Sequence, residues 1–416
     1  MKETLLHRIQ VGLKDMFYIW AKEMRQVFTD EGVLIFFIVV PILYPLLYSW
    51  AYSNEVVRDV PVAVVDLSHS HKSRQFIREF DASPDTKVAY YCGSLDEARA
   101  LVGKQVVHGV LYFPADFQVK INRMEQSHVS VFCDMSLMLT YKAIYQTAQA
   151  VATDINAKIQ VAVSGNQTDR EDQITTQPLA YEEVPIFNPT GGYGSFLIPA
   201  VLILIIQQTL LLGIGLSAGT ARESNRYKDL VPNLPHYQGV FRIVLGKSLA
   251  YIMLYAVITP YLLLIVPHIF GFTTLLSGGS LLALMVPYIL ACVFFGMMLS
   301  CVVRYRENVL LLVVFTSVPF LFLTGLSWPQ SSIPGVWQGI ASLLPSTFGA
   351  RGFVRLNTMG ATLADIKLEY QALWLQAAIY FIITCAVYRF QIIIAQNHAK
   401  EERELAAKEA EISTNT

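Results

Sequence analysis

The apolar residues of this chain are concentrated in separate segments, each long enough to cross a membrane. The first segment is followed by residues 53–194, which have the composition of a soluble domain, and five further segments then follow in close succession. A helix needs roughly 20 apolar residues to cross about 30 Å of hydrocarbon. The segments that meet this requirement are Val33–Tyr52, Ser195–Thr220, Leu249–Phe270, Leu281–Val303, Val309–Trp328 and Leu373–Ile394. We therefore predict a membrane α-helical protein with six transmembrane helices and an extracytoplasmic α/β domain inserted between the first and second.

The composition agrees with a membrane protein and argues against nucleic-acid binding. Hydrophobic residues make up 54% of the 416 residues and charged residues only 15%, whereas about a quarter of the residues in a soluble protein are charged. The formal net charge is −1, and the sequence has no basic patch interleaved with aromatic residues. Such a charge balance offers no general attraction for a polyanion.

Lysine and arginine in the short loops predict the orientation of the helices, because loops rich in these residues stay in the cytoplasm. The loop Gly271–Ser280 carries neither residue. The positive charges that flank the other ends of the segments are Lys2, Arg8, Lys14, Lys22, Arg25, Arg222, Arg226, Lys228, Arg242, Lys247, Arg304, Arg306, Arg389, Lys400, Arg403 and Lys408. Both termini are therefore predicted in the cytoplasm. The first segment starts too late and is too long for a cleavable signal peptide, and no small-x-small site follows it.

These assignments divide the chain into five regions. They are a cytoplasmic amphipathic interface helix (1–32), the first transmembrane helix (33–52), the extracytoplasmic α/β domain (53–194), a five-helix transmembrane domain (195–394) and a cytoplasmic tail (395–416). The five-helix domain contains a cytoplasmic loop (221–248) and a segment on the outer side (328–345). Proline and glycine interrupt this outer segment, which stays fairly apolar. It forms either re-entrant helical pieces, which need a cover of protein or water, or an ordinary loop.

The N-terminal region has the periodicity of an amphipathic helix. Apolar residues recur at spacings of three or four, and basic residues fall between them. The apolar stripe consists of Leu6, Ile9, Leu13, Phe17, Trp20, Met24 and Phe28. We expect this helix to lie in the cytoplasmic membrane interface with its aromatic residues at headgroup depth, or to pack on a soluble partner.

The inserted domain alternates predicted strands and helices, which favours parallel pairing through βαβ crossovers. The predicted strands are Val60–Val65, Lys87–Tyr91, Val106–Phe113 and His128–Cys133. A long helix is predicted over Leu137–Val163, and Asn166–Gln177 is polar and typical of a loop. Cys92 and Cys133 both fall in this domain, where they form either a disulfide or two buried thiols.

Catalytic and metal-binding motifs are weak. Leu245-Gly246-Lys247-Ser248 resembles the end of a phosphate-binding loop, but that loop needs a glycine at position 241, which is Phe241. Lys247 is better explained as a positive-inside anchor, and we expect the chain not to hydrolyse ATP by itself. His69 and His71 are two residues apart with no further ligand nearby, so solvated residues at a helix start are favoured over a metal site.

The predicted spans contain almost no ionisable residues. A carrier coupled to protons or sodium usually places such residues at membrane depth, so the energy for any transport is expected to come from elsewhere. The main polar group within a span is Gln207-Gln208-Thr209. These side chains either line a substrate path or hydrogen-bond to a neighbouring helix.

Short motifs along the whole chain resemble the permease subunits of ABC-2-type (type V) ABC exporters. Near the first span the similar residues are Lys22-Glu23-Met24-Arg25-Gln26, Thr29-Asp30 and Pro41. In the inserted domain they are Val62-Ala63-Val64-Val65-Asp66, Ser68, Ser70, Ser73, Gly109-Val110-Leu111 and Pro114-Ala115-Asp116-Phe117. Around the later spans they are Phe187-Asn188-Pro189, Phe196-Leu197-Ile198-Pro199, Arg222-Glu223, Gly246-Lys247, Thr324-Gly325, Trp328-Pro329, Pro334 and Leu344-Pro345. Their order and spacing together are specific.

The resemblance implies that the loop 221–248 couples this chain to an ATPase. Family members usually have a Gly-Thr-x-Glu-x-Leu run after the Arg-Glu pair, whereas here only Asp229-Leu230 is similar to it. The residues expected to couple to the ATPase are Arg222, Glu223, Asp229 and Lys247. Those expected to line the substrate path are Gln207, Gln208 and Thr324. The alternative for the charged residues is that they only fix the topology.

The leading hypothesis is a permease subunit of an ATP-driven exporter of drugs, lipids or other amphiphiles in a bacterial inner membrane. Its expected partners are an ABC ATPase, a second permease in a homo- or heterodimer, membrane lipid and a periplasmic adaptor. ATP and magnesium would be bound by the partner ATPase, and this chain would bind no cofactor or metal. The alternatives are a non-transporting scaffold or receptor and an ion-coupled carrier.

Overall fold

A computed structural model of the chain describes residues 5–180, 184, 186–188, 191–225, 227–232, 234–237, 239–303, 305–325 and 327–414. Lys2, Pro189, Arg226 and Arg304, which enter the sequence analysis, lie outside the described residues. The chain divides into two compact units. One comprises residues 1–53 and 191–416 and is helical, and the other comprises residues 54–190 and contains a β-sheet.

Among the described residues, the helical unit contains six helices that are long and apolar enough to cross a membrane, as the sequence predicts. An amphipathic helix, α1 (Leu5–Thr29), precedes them. The six are α2 (Glu31–Ala51), α8 (Tyr193–Ser224), α9 (Val240–Ile269), α10 (Gly278–Val302), α11 (Arg306–Leu323) and α14, which spans Lys367–Thr414 and is apolar as far as Glu402. Their order along the chain matches the six predicted spans.

Two of the spans differ from the prediction for identifiable reasons. Helix α9 starts at Val240, nine residues before the predicted Leu249, because the charge of Lys247 is neutralised inside the protein (see below) and does not end the helix. Helix α11 ends at Leu323, five residues before the predicted Trp328. Gly325 follows with φ of 80°, a left-handed conformation that commonly ends helices.

Helix α8 is the centre of the helical unit. It is buried along almost its whole length and packs against α2, α10 and α11. Two glycines allow close approach of its neighbours. A Cβ atom at Gly213 would lie 2.6 Å from the Phe37 ring of α2, and one at Gly215 would lie 2.4 Å from Val309 of α11. The loop 221–248 is correspondingly shorter than predicted, since α8 continues to Ser224 and α9 begins at Val240.

The outer segment 328–345 forms short helical pieces. A single turn spans Gln330–Ser332, and helix α12 spans Gly335–Ala341. No sequence pattern predicted the helix that follows, α13 (Pro345–Thr358), which starts with proline at its first position, where the missing N–H costs nothing. Helix α13 buries a face of small residues against α8 and α10. Whether this segment is re-entrant stays a prediction.

The second unit is an α/β domain with a four-stranded sheet. Its strands are β1 (Val60–Asp66), β2 (Thr86–Tyr91), β3 (Gly109–Phe113) and β4 (Ser130–Cys133), in the order β2-β1-β3-β4. Strand β1 is parallel to both β2 and β3, as the alternating pattern predicts, and β4 is antiparallel to β3. The helices of this unit are α3 (His71–Asp81), α4 (Leu95–Gly103), α5 (Phe117–Asn122), α6 (Met138–Ser164) and α7 (Asp169–Thr176).

Both faces of the sheet are covered. Helices α3 and α6 bury the β1 side chains of Val60, Val62 and Val64 on one face, and α4 covers Ala63 and Val65 on the other. Each successive β1 side chain therefore enters a different core, which explains its continuous run of apolar residues.

The strand order excludes a disulfide between Cys92 and Cys133. Cys92 directly follows β2 at one edge of the sheet, and Cys133 ends β4 at the other edge. Three strand spacings, about 14 Å, separate the two edges, whereas disulfide-bonded residues have Cα atoms within about 7 Å. Both cysteines are free thiols, so the alternative of two thiols is correct.

The prediction of a loop over Asn166–Gln177 is wrong, because this stretch contains α7. The hydroxyl of Thr168 accepts a hydrogen bond from the amide of Glu171 at 3.3 Å, and the Glu171 carboxylate accepts one from the amide of Thr168 at 3.1 Å. This reciprocal capping box starts a helix in a stretch too polar to show hydrophobic periodicity.

The close approach at Gly213 gives a test of the packing between α2 and α8. The substitution Gly213→Ala should lower the stability of the detergent-solubilised chain by about 1–3 kcal/mol, because the added methyl group overpacks the contact with Phe37. Thermal unfolding measures the change, and Phe37→Leu in the same chain should restore part of the loss. Gly278→Ala, where no atom lies within 4 Å of the new methyl group, is the matched control. Equal melting temperatures for the two alanine variants would contradict the packing.

Candidate coupling site at one end of the helical unit

Helix α1 has an apolar stripe and a separate face that packs on the helical unit. Four residues of the predicted apolar stripe are about half exposed, namely Ile9, Leu13, Phe17 and Phe28, whereas Met24 packs against the core of the helical unit. The face that packs on the helical unit instead contains residues spaced by four, which are Asp15, Ile19, Glu23 and Val27. Two of these four buried residues are acidic. The carboxylates of α1 therefore face the protein.

Glu23 forms a buried ion pair with Lys247 of α9. The ammonium nitrogen of Lys247 lies 2.6 Å from Glu23 Oε2, and the two side chains are only 6% and 3% exposed. The other carboxylate oxygen of Glu23 accepts hydrogen bonds from the hydroxyl of Ser217 on α8, at 2.7 Å, and from that of Tyr251 on α9. One carboxylate thus joins α1 to two of the long helices.

Gly246 brings α9 close enough to α1 for this pair to form. A Cβ atom at position 246 would lie 2.8 Å from the carbonyl oxygen of Met16 and 3.0 Å from the side chain of Ile19. Only glycine fits this crossing without displacing backbone. The Gly246-Lys247 dipeptide is therefore part of a helix–helix contact, and its likeness to a phosphate-binding loop is incidental.

Asp15 forms the first of two further acidic contacts of α1. Its carboxylate accepts a hydrogen bond from Arg242 at 2.5 Å and lies 2.7 Å from Nδ1 of His236. The ring of His236 also packs on that of Tyr18, with 4.4 Å between their centroids. These contacts fix the loop before α9 to the first half of α1.

Asp30 connects the junction of α1 and α2 to α8 and α11. It caps the start of α2 by accepting a hydrogen bond from the amide of Val33 at 3.2 Å. Its carboxylate also accepts bonds from Thr220 of α8, at 2.5 Å, and from Arg306 of α11, at 2.9 Å. A Cβ atom at Gly219 would lie 2.5 Å from the Arg306 side chain, so that glycine leaves the space through which Arg306 passes.

Arg222, a predicted coupling residue, is buried and bonded within the chain. Its guanidinium donates to the carbonyl oxygens of Cys301, at 2.9 Å, and Val303. The last carbonyl groups of a helix have no partner within the helix, and a cation is favoured beside them by the helix dipole. Arg222 of α8 therefore caps the end of α10.

The other predicted coupling residues lie apart from each other. The side chain of Glu223 is 56% exposed and lies 3.8 Å from Arg306. Asp229 lies in the loop and contacts Nδ1 of His398 on α14 at 3.0 Å. Lys247 pairs with Glu23 on α1, as described above. Of the four predicted residues, only Glu223 presents its charge largely to the outside of this chain.

Opposing effects determine the pKa of the buried carboxyl groups outside the spans. Burial is the largest single influence on Glu23 and raises its pKa, but the charge of Lys247 and the hydrogen bonds from Lys247, Tyr251 and Ser217 together exceed it. The pKa of Glu23 is therefore lowered. The pKa values of Asp15 and Asp30 are also lowered, for the same balance of burial against their cationic and hydrogen-bonding partners. All three carboxyl groups are held in the charged form.

Two of the three predicted substrate-path residues, Gln207 and Thr324, bond to helix α13. The side-chain oxygen of Gln207 accepts a hydrogen bond from the amide of Ser346, at 2.7 Å, and so caps the start of α13. The carbonyl oxygen of Thr324 accepts one from Arg351, one turn further along α13, at 3.0 Å. Both residues are buried, and both connect a long helix to α13.

Gln208 differs from Gln207 in its hydrogen bonding. It is 9% exposed, and neither polar atom of its side chain has a hydrogen-bond partner among the described residues. The hydroxyl groups of Ser346 and Thr347 on α13 are likewise buried and unbonded in this part of the chain. Buried polar groups are nearly always bonded, so these side chains, like the side-chain nitrogen of Gln207, retain hydrogen-bonding capacity for a substrate, for water or for another subunit.

Five residues of the site were not predicted from the sequence, namely Asp15, Asp30, Arg242, Arg306 and His398. A signal for the acidic ones was present, because Asp15, Glu23 and Asp30 recur every seven or eight residues and so share one face of a helix. Their basic partners come from distant parts of the chain, and only the fold brings them together. Among the described residues, no group of three or more His, Cys, Asp or Glu side chains is arranged to hold a metal ion.

These features define a multi-pass helical membrane protein with an inserted α/β unit and a charged network at one end of its helices. The model of the family described as ABC-2 family transporter protein matches residues 32–386. The chain therefore belongs to the ABC-2 transporter family. It is also similar to ABC transporter G family member 20 of Dictyostelium discoideum, with 22% identity over 398 residues, or 94% of this chain. The match covers 50% of that relative, so the chain spans about half its length.

Replacing one partner of the Glu23–Lys247 pair should destabilise the chain far more than replacing both partners. Glu23→Gln or Lys247→Met alone should destabilise the chain by about 3–5 kcal/mol, because each leaves one buried charge unpaired. The double variant should recover much of that loss, which thermal unfolding in detergent would measure. Glu31→Gln and Lys14→Met, which change exposed residues near the same helix, are the matched controls. Additive losses in the double variant would show that the two charges do not depend on each other.

The lowered pKa values of Asp15, Glu23 and Asp30 predict loss of stability in acid. A carboxyl group with a depressed folded-state pKa stabilises the protein above its unfolded pKa, here 3.8 for Asp and 4.5 for Glu. That stability is lost as the pH falls through the folded-state values. The melting temperature should therefore change little from neutral pH to about pH 4.5 and drop as the pH falls further. The decline should be shallower in the Glu23→Gln, Lys247→Met double variant, and an identical decline would contradict a contribution from Glu23.

Proposed function

We propose that this chain is the transmembrane permease subunit of an ATP-driven ABC exporter of drugs, lipids or other amphiphiles. A separate ATPase would bind ATP and magnesium and supply the energy. The chain would act as a dimer with itself or a related permease in a bacterial inner membrane, with both termini in the cytoplasm. Membership of the ABC-2 transporter family supports the class of protein, and the charged network of α1 supports the mechanism.

The observation that carries the proposal is that α1 is bonded to three of the long helices through buried or partly buried charges. Glu23 bonds α8 and α9, Asp15 bonds the start of α9, and Asp30 bonds α8 and α11. A displacement of α1 would therefore move the ends of these helices together. An ATPase that pushes on α1 and the adjacent loop would use this connection to switch the permease between inward and outward access.

The loop 225–239 is the proposed docking surface for the ATPase. Tyr227 and Leu234 are apolar or aromatic side chains that are about two-fifths exposed in this loop, and the carboxylate of Glu223 lies at its start. The other three predicted coupling residues would not contact the ATPase directly. Arg222, Asp229 and Lys247 would instead hold the loop and helices α8, α9 and α10 in fixed positions relative to one another. Their role would be ion pairing and hydrogen bonding.

The proposed substrate path runs beside α13. Gln208, with Thr347 of α13, offers buried hydrogen-bonding groups that nothing in the described chain uses. Gln207 and Thr324 would position α13 through its amide and Arg351. A second permease would complete this path. The α/β unit would lie on the extracytoplasmic side of the membrane, where it would contact an adaptor or substrate.

A non-transporting scaffold or receptor is the second candidate function. The observation in its favour is that the loop departs from the family pattern after Glu223 and that Asp229, its remaining acidic position, is engaged by His398 within the chain. A scaffold would need no ATPase, and the α/β unit would then bind a partner protein.

Purification from the native host in mild detergent tests the two candidates. The tagged chain should recover an ATPase with a phosphate-binding loop, and candidate amphiphiles should raise the ATP hydrolysis of the purified complex. Recovery of no ATPase, together with amphiphile efflux that is unchanged after ATP depletion, would overturn the export proposal. Efflux that instead collapses with the ion gradient would identify an ion-coupled carrier.

The docking surface has its own test. The Tyr227→Ala, Leu234→Ser double variant should reduce the recovered ATPase several-fold while the amount of folded permease stays the same, because both side chains would lie in the contact with the ATPase. Leu275→Ser changes a side chain of similar exposure in the loop 271–277 and should leave the recovery unchanged. Equal recovery with both variants would exclude loop 225–239 as the docking surface.

A further inference from the structure

The α/β unit contains a cavity beside the carboxyl end of strand β1 that the proposed transport mechanism does not use. Its volume is about 670 Å³, within the range of pockets for small ligands. Val64 of β1, Ile77 of α3 and Cys92 after β2 provide its apolar lining. In open α/β sheets with parallel strands, ligands bind outside the carboxyl ends of the strands. The cavity therefore lies where this class of fold forms ligand sites.

The polar lining of the cavity is predominantly basic. The side chains of His69, His71, Arg74 and Arg78 line it together with the phenol of Tyr91. Arg74 donates one hydrogen bond, to the carbonyl oxygen of His69 at 2.8 Å. Within the described part of the chain, the side chains of His71 and Arg78 make no hydrogen bond or ion pair. Two guanidinium groups and two imidazoles thus surround one space.

Among the described residues of the lining, Asp66 is the acidic one, and it is already bonded. Asp66 accepts hydrogen bonds from the amides of Ser68 and His69, each at 3.0 Å, and from the hydroxyl of Ser73 at 2.7 Å. These three bonds hold its carboxylate in the turn before α3. One carboxylate in that position leaves the two arginines without a full counter-charge.

The placement of the basic residues on α3 is unfavourable without an anion. Arg74 and Arg78 are four residues apart, so their like charges lie on one helix face and destabilise the helix, and His71 lies three residues before Arg74 on the same face. They also begin at the first residue of α3, whose first turn contains no acidic residue. The amino end of a helix carries the positive end of its dipole and favours a negative charge. An anion in the cavity would offset both effects.

We propose that this cavity binds the phosphate group of a small phosphate ester or of a lipid headgroup. Two arginines offer more hydrogen-bond donors than a ligand with a single carboxylate group can accept. The geometry of guanidinium groups also matches the oxygen atoms of a phosphate group. The apolar lining of Val64 and Ile77 would accept the carbon part of the ligand. The site lies within the α/β unit and does not depend on the export function, since binding requires neither an ATPase nor transport.

Calorimetric titration of the full-length chain in a neutral detergent tests the proposal. One arm uses inorganic phosphate as the soluble probe, and a second uses dihexanoyl phosphatidic acid below its micelle concentration as the lipid probe. Sodium chloride at matched ionic strength is the reference for both arms. We expect saturable binding of at least one probe, and the arm that binds more tightly identifies the soluble ester or the headgroup as the source of the phosphate.

Charge-matched variants decide whether the binding occurs in this cavity. Arg74→Gln with Arg78→Gln should weaken binding at least about tenfold, because hydrogen bonds to charged groups are lost. Arg99→Gln with Arg123→Gln removes the same charge from exposed residues outside the cavity lining and should leave the affinity unchanged. Binding no stronger than in chloride, or an equal effect of the two double variants, would overturn the proposal. Because Arg74 and Arg78 are exposed, their replacement should not lower the melting temperature.

Discussion

Glu23 and Lys247 are both buried, and neither charge would be stable inside an apolar set of helices without the other. Their pair fixes how α1 lies on α8 and α9, and Gly246 makes the approach possible. Asp15 and Asp30 extend the same arrangement to both ends of α1. The position of the N-terminal helix, the start of α9 and the junction with α2 all depend on these three carboxylates. The proposed coupling mechanism depends on them too, because they turn an amphipathic helix into a connected part of the membrane unit.

Helix α8 is the other constraint on the helical unit. It is buried on nearly all sides, so its polar residues must either bond to neighbours or remain unbonded in the interior. Gln207 and Thr209 bond, the first to the amide of Ser346 and the second to Tyr255 at 2.7 Å. Gln208 does not bond among the described residues. Gln207 is thus bonded through its side-chain oxygen, whereas both polar atoms of the Gln208 side chain are unbonded in this part of the chain.

Hydropathy alone predicted all six spans and their order, because a run of about 20 apolar residues is typical of a membrane-spanning helix. Period-two and helical patterns likewise located the strands and the long helix α6 of the α/β unit. Helices α7 and α13 were missed, since α7 is polar throughout and α13 is built from small residues and has no long apolar run. Local capping by Thr168 and a proline at position 345 start these helices, and such signals are weaker than hydropathy.

The sequence by itself determined the membrane class, the six spans and the inserted α/β region, because each follows from the composition or periodicity of contiguous residues. The tertiary structure alone decided which charges meet. Glu23 lies 224 positions before Lys247, and Asp30 lies 276 positions before Arg306. Lys247 and Arg222 looked like topology signals in the sequence, yet both are buried and bonded. Charged side chains gain their function from partners that are distant in the chain, and no local pattern encodes such pairing.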